Sequence, residues 1–304
     1  MTERQIIPFT TEADWLKHRH NDVTSTEVSA LFGANPWLTR FGLWHAKHGL
    51  PSDVEVTERM ELGTALQDAV AAHIASKRGW KIRRMDEYIR LSDARMGSSF
   101  DYEILALDER GPGLLEVKCV DLFAYKNGWL IDGDVIEAPE RIEIQVQAEL
   151  HVSGYKWGAI GALIGGNRIE VIERAYFPDV GAALETRVRE FWALETAPAP
   201  DYMEDGELLR RINGIVTEGK SVDMKSDAML AHLCERYATL GKELDTRKKE
   251  RDACYANILA IIGDAEKVSA DGFKISSWRV AEGDVSYHRD AFRSMRITPL
   301  KEKK

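Results

Sequence analysis

The stretch from Met96 to Cys119 constrains the fold more than any other part of the chain. It reads Met96-Gly-Ser-Ser-Phe-Asp101, then turn-forming residues ending in Gly111-Pro112-Gly113, then Leu-Leu-Glu116-Val-Lys118-Cys119. Gly and Pro clustered this tightly end one extended segment and begin another, so 96–106 and 113–119 are predicted strands. A third strand over 81–91 precedes them, and the three are expected to form a meander. Residues two apart on a strand share a face. Glu116 and Lys118 should therefore point the same way, with Val117 turned to the core. If the last two strands pair through the turn at 108–113, Asp101 comes close to Glu116.

That juxtaposition has a chemistry. Two carboxylates, the Val117 backbone carbonyl and waters offer an oxygen-rich, roughly octahedral site suited to Mg²⁺ or Mn²⁺. A lysine beside such a metal places positive charge where a water is deprotonated and where charge builds on phosphorus. These are the parts that phosphodiester hydrolysis needs. An isolated E-x-K is more often a solvated pair on an exposed strand face. Here a Gly-Ser-Ser-x-Asp at hairpin distance precedes it and a glutamine-bearing helix follows. That helix, over 139–153, carries Arg141-Ile-Glu-Ile-Gln145-Val-Gln147-Ala-Glu149-Leu-His151. Gln145 and Glu149 share one face, Gln147 and His151 another. The Gln145 amide can donate to a phosphate or water and accept from Lys118. Taken alone, the helix reads more readily as a polar solvent face.

Helical spacing predicts helices over 12–20, 24–33, 40–48 and 57–78. The second opens on a capping box between Thr24 and Glu27 and stops at Gly33 and Asn35-Pro36; the fourth closes at Gly79. After the strands come helices over 121–130 and 139–153, strands over 156–164 and 169–177, and a helix through Trp192. This order is a mixed α/β layer fold. Proline and acid concentrate over 195–206, which marks a boundary between a domain at 1–200 and a C-terminal extension at 205–304. In the extension an a/d seam runs through Leu230, Leu233, Tyr237, Leu240 and Leu244, fails at Arg247 and Arg251, and resumes at Cys254, Ile258 and Ile261. A long helix packed in a helical hairpin or against another subunit fits this better than a free coiled coil. A small β-hairpin around Asp271-Gly272 should follow.

Composition excludes some functions. Forty-one basic against fifty acidic residues leave a net charge of −9, which argues against coating nucleic acid by bulk charge but leaves room for a local basic channel. No run approaches the roughly 20 apolar residues of a membrane span, and the first residues lack signal-peptide character, so a cytoplasmic location is expected. Cys119, Cys234 and Cys254 form no CxxC and are read as reduced and structural. His18, His20, His45 and His48 are read as surface or capping residues rather than zinc ligands.

An ordered series of motifs resembles a known family. Trp15-Leu-Lys-His-Arg19, Val23-Thr-Ser-Thr26, Asn35-Pro36-Trp37, Leu43-Trp44 and Gly63-Thr-Ala-Leu-Gln67 precede Asp101, Glu116, Lys118 and Gln145. Over about residues 12–195 the chain resembles the YqaJ-type viral recombinase and lambda-exonuclease-like family of the PD-(D/E)XK nuclease superfamily. The resemblance implies a restriction-endonuclease-like core, a central mixed sheet flanked by helices, with the long-helix extension added. It implies that Asp101 and Glu116 hold the metal, that Lys118 handles the water and that Gln145 positions it. Arg19 would bind a 5′ phosphate, with Thr26 and Ser99 as hydroxyls beside it. Where the family usually has Glu, this chain has Gln67, a weaker carbonyl ligand; Asp68 lies about 100° further round the helix.

The activity so implied is Mg²⁺-dependent digestion of linear double-stranded DNA from 5′ to 3′, leaving 3′ single strands for a partner annealing protein. The resemblance also implies a trimeric or tetrameric ring, encoded by a phage or prophage and working in the host cytoplasm. Two rivals remain. One is an endonuclease or repair nuclease of the same fold, of restriction or Cas4 type, although Cas4-like enzymes use a cysteine-ligated cluster that three scattered cysteines do not supply. The other is a DNA-end-binding or assembly protein that has lost catalysis.

Overall fold

The computed structural model describes residues 3–9, 11–50, 56–105, 108–132, 135–214, 216–284 and 286. Contacts divide the chain into two units, Met1–Leu208 and Leu209–Lys304. The first begins with β1 (Arg4–Pro8), α1 (Glu12–Asn21), β2 (Val23–Thr24), a 3-10 turn at Val28–Phe32, α2 (Arg40–Lys47) and α3 (Glu58–Arg78). Next are β3 (Ile82–Arg84), β4 (Glu87–Leu91), β5 (Met96–Ser99), β6 (Tyr102–Ile104) and β7 (Gly113–Val120). Then follow α4 (Leu122–Gly128), β8 (Leu130–Asp132), β9 (Val135–Glu137), α5 (Glu140–Ser153), β10 (Trp157–Ile164), β11 (Arg168–Ala175) and α6 (Pro178–Trp192).

A five-stranded mixed sheet in the order β11-β10-β7-β6-β3 forms the centre, with β10 parallel to β7 and the other pairs antiparallel. One face of β7 contributes Leu115 and Val117 to a core with Val70, Ala71 and Ile74 of α3. The other contributes Leu114 to a core with Ile142, Val146 and Leu150 of α5. Helices thus cover both faces of the mixed sheet, the α/β layer arrangement that the order of elements suggested. Local chemistry sets the helix ends: Thr57 caps α3 by accepting from the Met60 N–H, and Gly79, at φ 68°, closes it in the left-handed region that glycine enters without a Cβ penalty.

The meander is corrected. The expected strands 81–91 and 96–106 each break, so β4 and β5 join β1 and β2 in a separate four-stranded sheet, while β3 and β6 join β7. The pairing shifts from Tyr88↔Ser99 to Arg84↔Tyr102. Three residues, 85–87, therefore oppose two, 100–101, which is a β-bulge, and bulges bend a ladder and re-aim its side chains. Position 106 of the expected strand lies outside the described residues.

The expected helix over 24–33 is also corrected. Val23 and Thr24 pair in parallel with Met96 and Gly97, and the Ser25 N–H donates to Gly97 O at 3.1 Å. Sheet pairing has claimed these residues, leaving only the 3-10 turn, which ends at Gly33 with φ 70°. Half of the predicted capping box survives, because the Thr24 N–H donates to Glu27 Oε2 at 2.9 Å. Two further elements, β1 and the β8–β9 hairpin, are too short to carry a period, and α4 ends at Gly128 rather than 130.

In the C-terminal region, α7 (Gly206–Ile212) precedes α8 (Ala228–Ile262), whose N-cap Asp227 accepts from the Leu230 N–H. No residue of α8 is buried, so among the described residues its seam lacks the helical-hairpin partner that the pattern suggested. The hairpin β12 (Lys267–Ala270) and β13 (Phe273–Ser276) turns at Gly272, φ 74°. Residues 287–304 of the extension lie outside the described residues. No helix among the described residues is long and apolar enough to cross a membrane.

Candidate active site

The bulge places Asp101 at the bend between β5 and β6, where its carbonyl accepts from the Met85 N–H at 3.2 Å. Its side chain turns toward β7, and Oδ2 accepts from the Val117 N–H at 2.8 Å. On β7 the predicted alternation holds: Val117 enters the α3-side core, while Glu116 and Lys118 face the α5 side. Lys118 Nζ donates to Glu116 Oε1 at 2.6 Å and to Gln145 Oε1 at 3.0 Å. Gln145 Nε2 donates to the same Glu116 oxygen at 2.7 Å and to Glu149 Oε1 at 2.8 Å. The tertiary structure thus brings Asp101, Glu116, Lys118 and Gln145 together across two strands and a helix.

The electrostatics of this cluster are strained in one direction. Burial, then the Glu116 carboxylate, pushes the Asp101 pKa up to about 8. Glu149 is raised well above its ordinary range, again by burial first and Glu116 second. Burial works to lower Lys118, but Glu116 and Asp101 outweigh it and the pKa is raised, so Nζ carries its charge at neutral pH. The carboxyls at this bend favour a proton or a cation between them. The set on offer, Asp101, Glu116 and the Val117 carbonyl, is made of hard oxygens and fits a small divalent ion. Among the described residues no group of three or more His, Cys, Asp or Glu is arranged to hold a metal.

Arg19 sits apart from these carboxylates but reaches the neighbouring strand. Its Nη1 donates to Ser99 Oγ at 3.4 Å and its Nη2 to Thr26 Oγ1 at 3.2 Å, and its guanidinium lies 4.6 Å from the centre of the Trp15 ring. All three predicted hydroxyl and arginine positions therefore converge. The buried Lys47 Nζ fixes this arm from below, donating to Arg19 O at 2.7 Å and pairing with Glu27 at 2.8 Å. A cavity of about 370 Å³ opens here, lined by Arg19, Glu27, Lys47 and their neighbours.

Gln67 makes no hydrogen bond to the cluster. It is half-buried on α3, which packs on the opposite face of β7 from Glu116 and Lys118. Asp68 is no substitute either, because it accepts from Arg84 at 2.8 Å and from the Tyr102 hydroxyl.

Three residues of the site carry no assigned role in the sequence reading. Glu149, 2% exposed, accepts from Gln145 and, at 3.4 Å, from Ser25 Oγ. Ser25 Oγ lies 2.7 Å from Ser98 Oγ. This chain of polar contacts links Gln145 to the strand that carries Ser99. The one available signal was Glu149 standing four residues after Gln145, on the same face of the helix.

Residues 14–156 match the family described as YqaJ-like viral recombinase domain. The chain is 29% identical over 161 residues to the uncharacterized protein YqaJ of Bacillus subtilis (strain 168), an alignment covering 51% of this chain and 47% of that protein, about half its length. Similar solved structures include an alkaline exonuclease (LHK-Exo) from Laribacter hongkongensis, 18% identical, with 66% of this chain and 97% of that one covered and a TM-score of 0.46. A phage-related exonuclease from Haemophilus somnus 129PT is 11% identical, with 61% and 87% covered and a TM-score of 0.37. Every residue of the Asp101, Glu116, Lys118, Gln145 and Arg19 constellation lies within the segment, residues 14–156, over which the chain is similar to the YqaJ-like viral recombinase domain.

Proposed function

We propose that this protein is a metal-dependent exonuclease acting on linear double-stranded DNA from 5′ to 3′, with residues 1–200 as the nuclease domain and 205–304 as an extension. The observation that carries the proposal is the shared hydrogen bonding of Lys118 and Gln145 to one oxygen of Glu116, beside a second carboxyl, Asp101, that is held against the same strand. A structural ion pair on a strand face would need neither the buried glutamine nor the second acid.

In this reading Asp101, Glu116 and the Val117 carbonyl hold Mg²⁺ or Mn²⁺. When bound, the ion supplies a Lewis acid for a phosphoryl oxygen and lowers the pKa of an attacking water. Lys118, kept cationic by Glu116, orients that water and stabilises charge on phosphorus. Gln145 accepts from Lys118 and so keeps its ammonium aimed. Arg19, Thr26 and Ser99 hold the terminal 5′ phosphate. Release of each nucleotide with its 3′ oxygen leaves a new 5′ phosphate to refill that position. The family resemblance supports a ring of three or four copies around DNA, and an annealing protein that takes up the 3′ strand.

End-labelled linear duplex incubated with Mg²⁺ tests the proposal. Loss of nucleotides from the 5′ ends is expected. Cutting of covalently closed circles would make the protein an endonuclease, and binding without cleavage would leave it a DNA-end-binding protein.

A further inference from the structure

Beyond Lys118 the site opens into a second cavity, of about 430 Å³, whose lining includes Trp37, Arg59, Lys118 and Arg141. Arg141 stands in the first turn of α5, four residues before Gln145, which itself stands four before Glu149. The three lie along one stripe of the helix, about 6 Å apart at each step. The Glu149 end leads through Ser25 and Ser98 to the strand whose Ser99 meets Arg19. The Arg141 end leads to the cavity, so the two arginines stand on opposite sides of the carboxylates.

Arg141 is a half-buried cation that, among the described residues, has no paired anion. Its guanidinium lies 4.7 Å from the centre of the Trp37 ring, and among the described residues no hydrogen bond or ion pair holds it. Burial lowers its pKa, and the nearby charge of Arg59 lowers it further. Arg59 does pair with Asp121, at 2.9 Å, but both partners are exposed, where such a bond is weak. The cavity's one carboxylate, Glu140, makes no ion pair with Arg141. A partly desolvated guanidinium that feels another cation is stabilised by a bound anion. Trp37, 76% exposed, has a ring face left for a planar group. Guanidinium plus aromatic face is the combination that holds a single nucleic-acid strand, phosphate on one and base on the other.

We propose that the Trp37–Arg59–Arg141 cavity is a second phosphate subsite, which grips the DNA strand one nucleotide beyond the bond to be cut, with Arg141 on the phosphate and a base against Trp37. The position along the strand rests on the exonuclease reading and on Arg19 as the 5′-phosphate arm; the existence of the subsite does not. In function it would hold the remaining strand after each cut, while the terminal nucleotide leaves.

Binding without metal tests this. A dye-labelled 5′-phosphorylated tetranucleotide and an unlabelled 5′-phosphorylated mononucleotide as competitor are titrated in EDTA against the wild-type chain and against Arg141→Ala, Arg141→Lys and Trp37→Ala, each checked for an unchanged melting curve. Arg141→Ala is expected to weaken the tetranucleotide at least tenfold, and to flatten the log-log salt dependence by about 0.7, one phosphate. Mononucleotide binding should stay within twofold, and Arg141→Lys should restore part of the loss. The subsite is overturned if Arg141→Ala leaves the tetranucleotide within twofold, if it weakens both ligands equally, or if the wild-type chain binds no tetranucleotide. Arg141-dependent binding in a protein that never cleaves DNA would sink the exonuclease reading and keep the subsite; cleavage with Arg141-independent binding would do the reverse.

Discussion

Gln145 Nε2 donates to Glu116 Oε1 at 2.7 Å, tying the middle of a helix to the middle of a strand 29 residues earlier. Lys118 Nζ uses the same oxygen from the other side at 2.6 Å and also donates to the Gln145 carbonyl, so the three side chains close a ring of hydrogen bonds. The ring leaves the ammonium little rotational freedom, which suits a charge that must act at a defined atom.

Lys118→Met keeps most of the stem and removes the charge. Cleavage of linear duplex with Mg²⁺ should fall by at least about 100-fold. Duplex binding in EDTA should stay within about threefold, which separates lost chemistry from lost folding. Wild-type cleavage in this variant would remove Lys118 from the mechanism.

Arg19 donates to two hydroxyls from different elements, Ser99 Oγ and Thr26 Oγ1. Arg19→Ala should abolish any preference for 5′-phosphorylated over 5′-hydroxyl ends, chiefly by slowing the phosphorylated substrate about tenfold or more, since a charge-assisted bond to phosphate is worth about 1.5 to 3 kcal/mol. Competition between the two ends in one reaction measures this. A retained preference would mean that the end is sensed elsewhere.

Gly97 is a packing glycine. A Cβ there would collide with the Tyr88 ring and hydroxyl, and Tyr88 is fully buried with its hydroxyl donating to Asp22. Gly97→Ala should destabilise the first unit by about 2 to 3 kcal/mol, because a packed aromatic must shift and strain its bond. Chemical denaturation reads the loss; a change under about 0.5 kcal/mol would show that the ring yields freely.

Glu185 holds α6 to α5, accepting from Arg189 at 2.7 Å and facing His151 Nε2 at 2.9 Å. Burial works to raise its pKa, but the bonds from Arg189 and His151 outweigh it and the net shift is downward. A carboxylate lowered on folding contributes stability above its unfolded value, near 4.5, and loses it as pH falls through the folded value. Glu185→Gln should therefore cost about 1 kcal/mol at pH 7, and the gap to the wild-type chain should narrow as the pH drops below about 4.5. A gap that stays constant with pH would assign the loss to packing alone.

Much of the site was legible because its residues obey local periods. Glu116 and Lys118 share a strand face, and Gln145 and Glu149 share a helix face, whatever the rest of the chain does. What hid the remainder was long-range pairing. Thr24 and Glu27 look like the start of a helix, yet Gly97 takes the neighbouring backbone into a ladder and Lys47 takes the Glu27 carboxylate. β1 is five residues long and pairs with a strand 79 to 87 positions away. No local period announces such a partner.

The amino-acid sequence by itself determined which residues can do the chemistry, because side-chain type and the two- and four-residue spacings survive any packing. Only the tertiary structure decided how they meet. The bulge opposite Asp101 turns its carboxyl onto β7, α3 packs on the far face and leaves Gln67 out of the hydrogen-bonded cluster, and burial of Glu149 gives Gln145 a second acid to hold. Registers, bulges and desolvation arise between segments distant in the chain, so they belong to the fold and not to any one stretch of it.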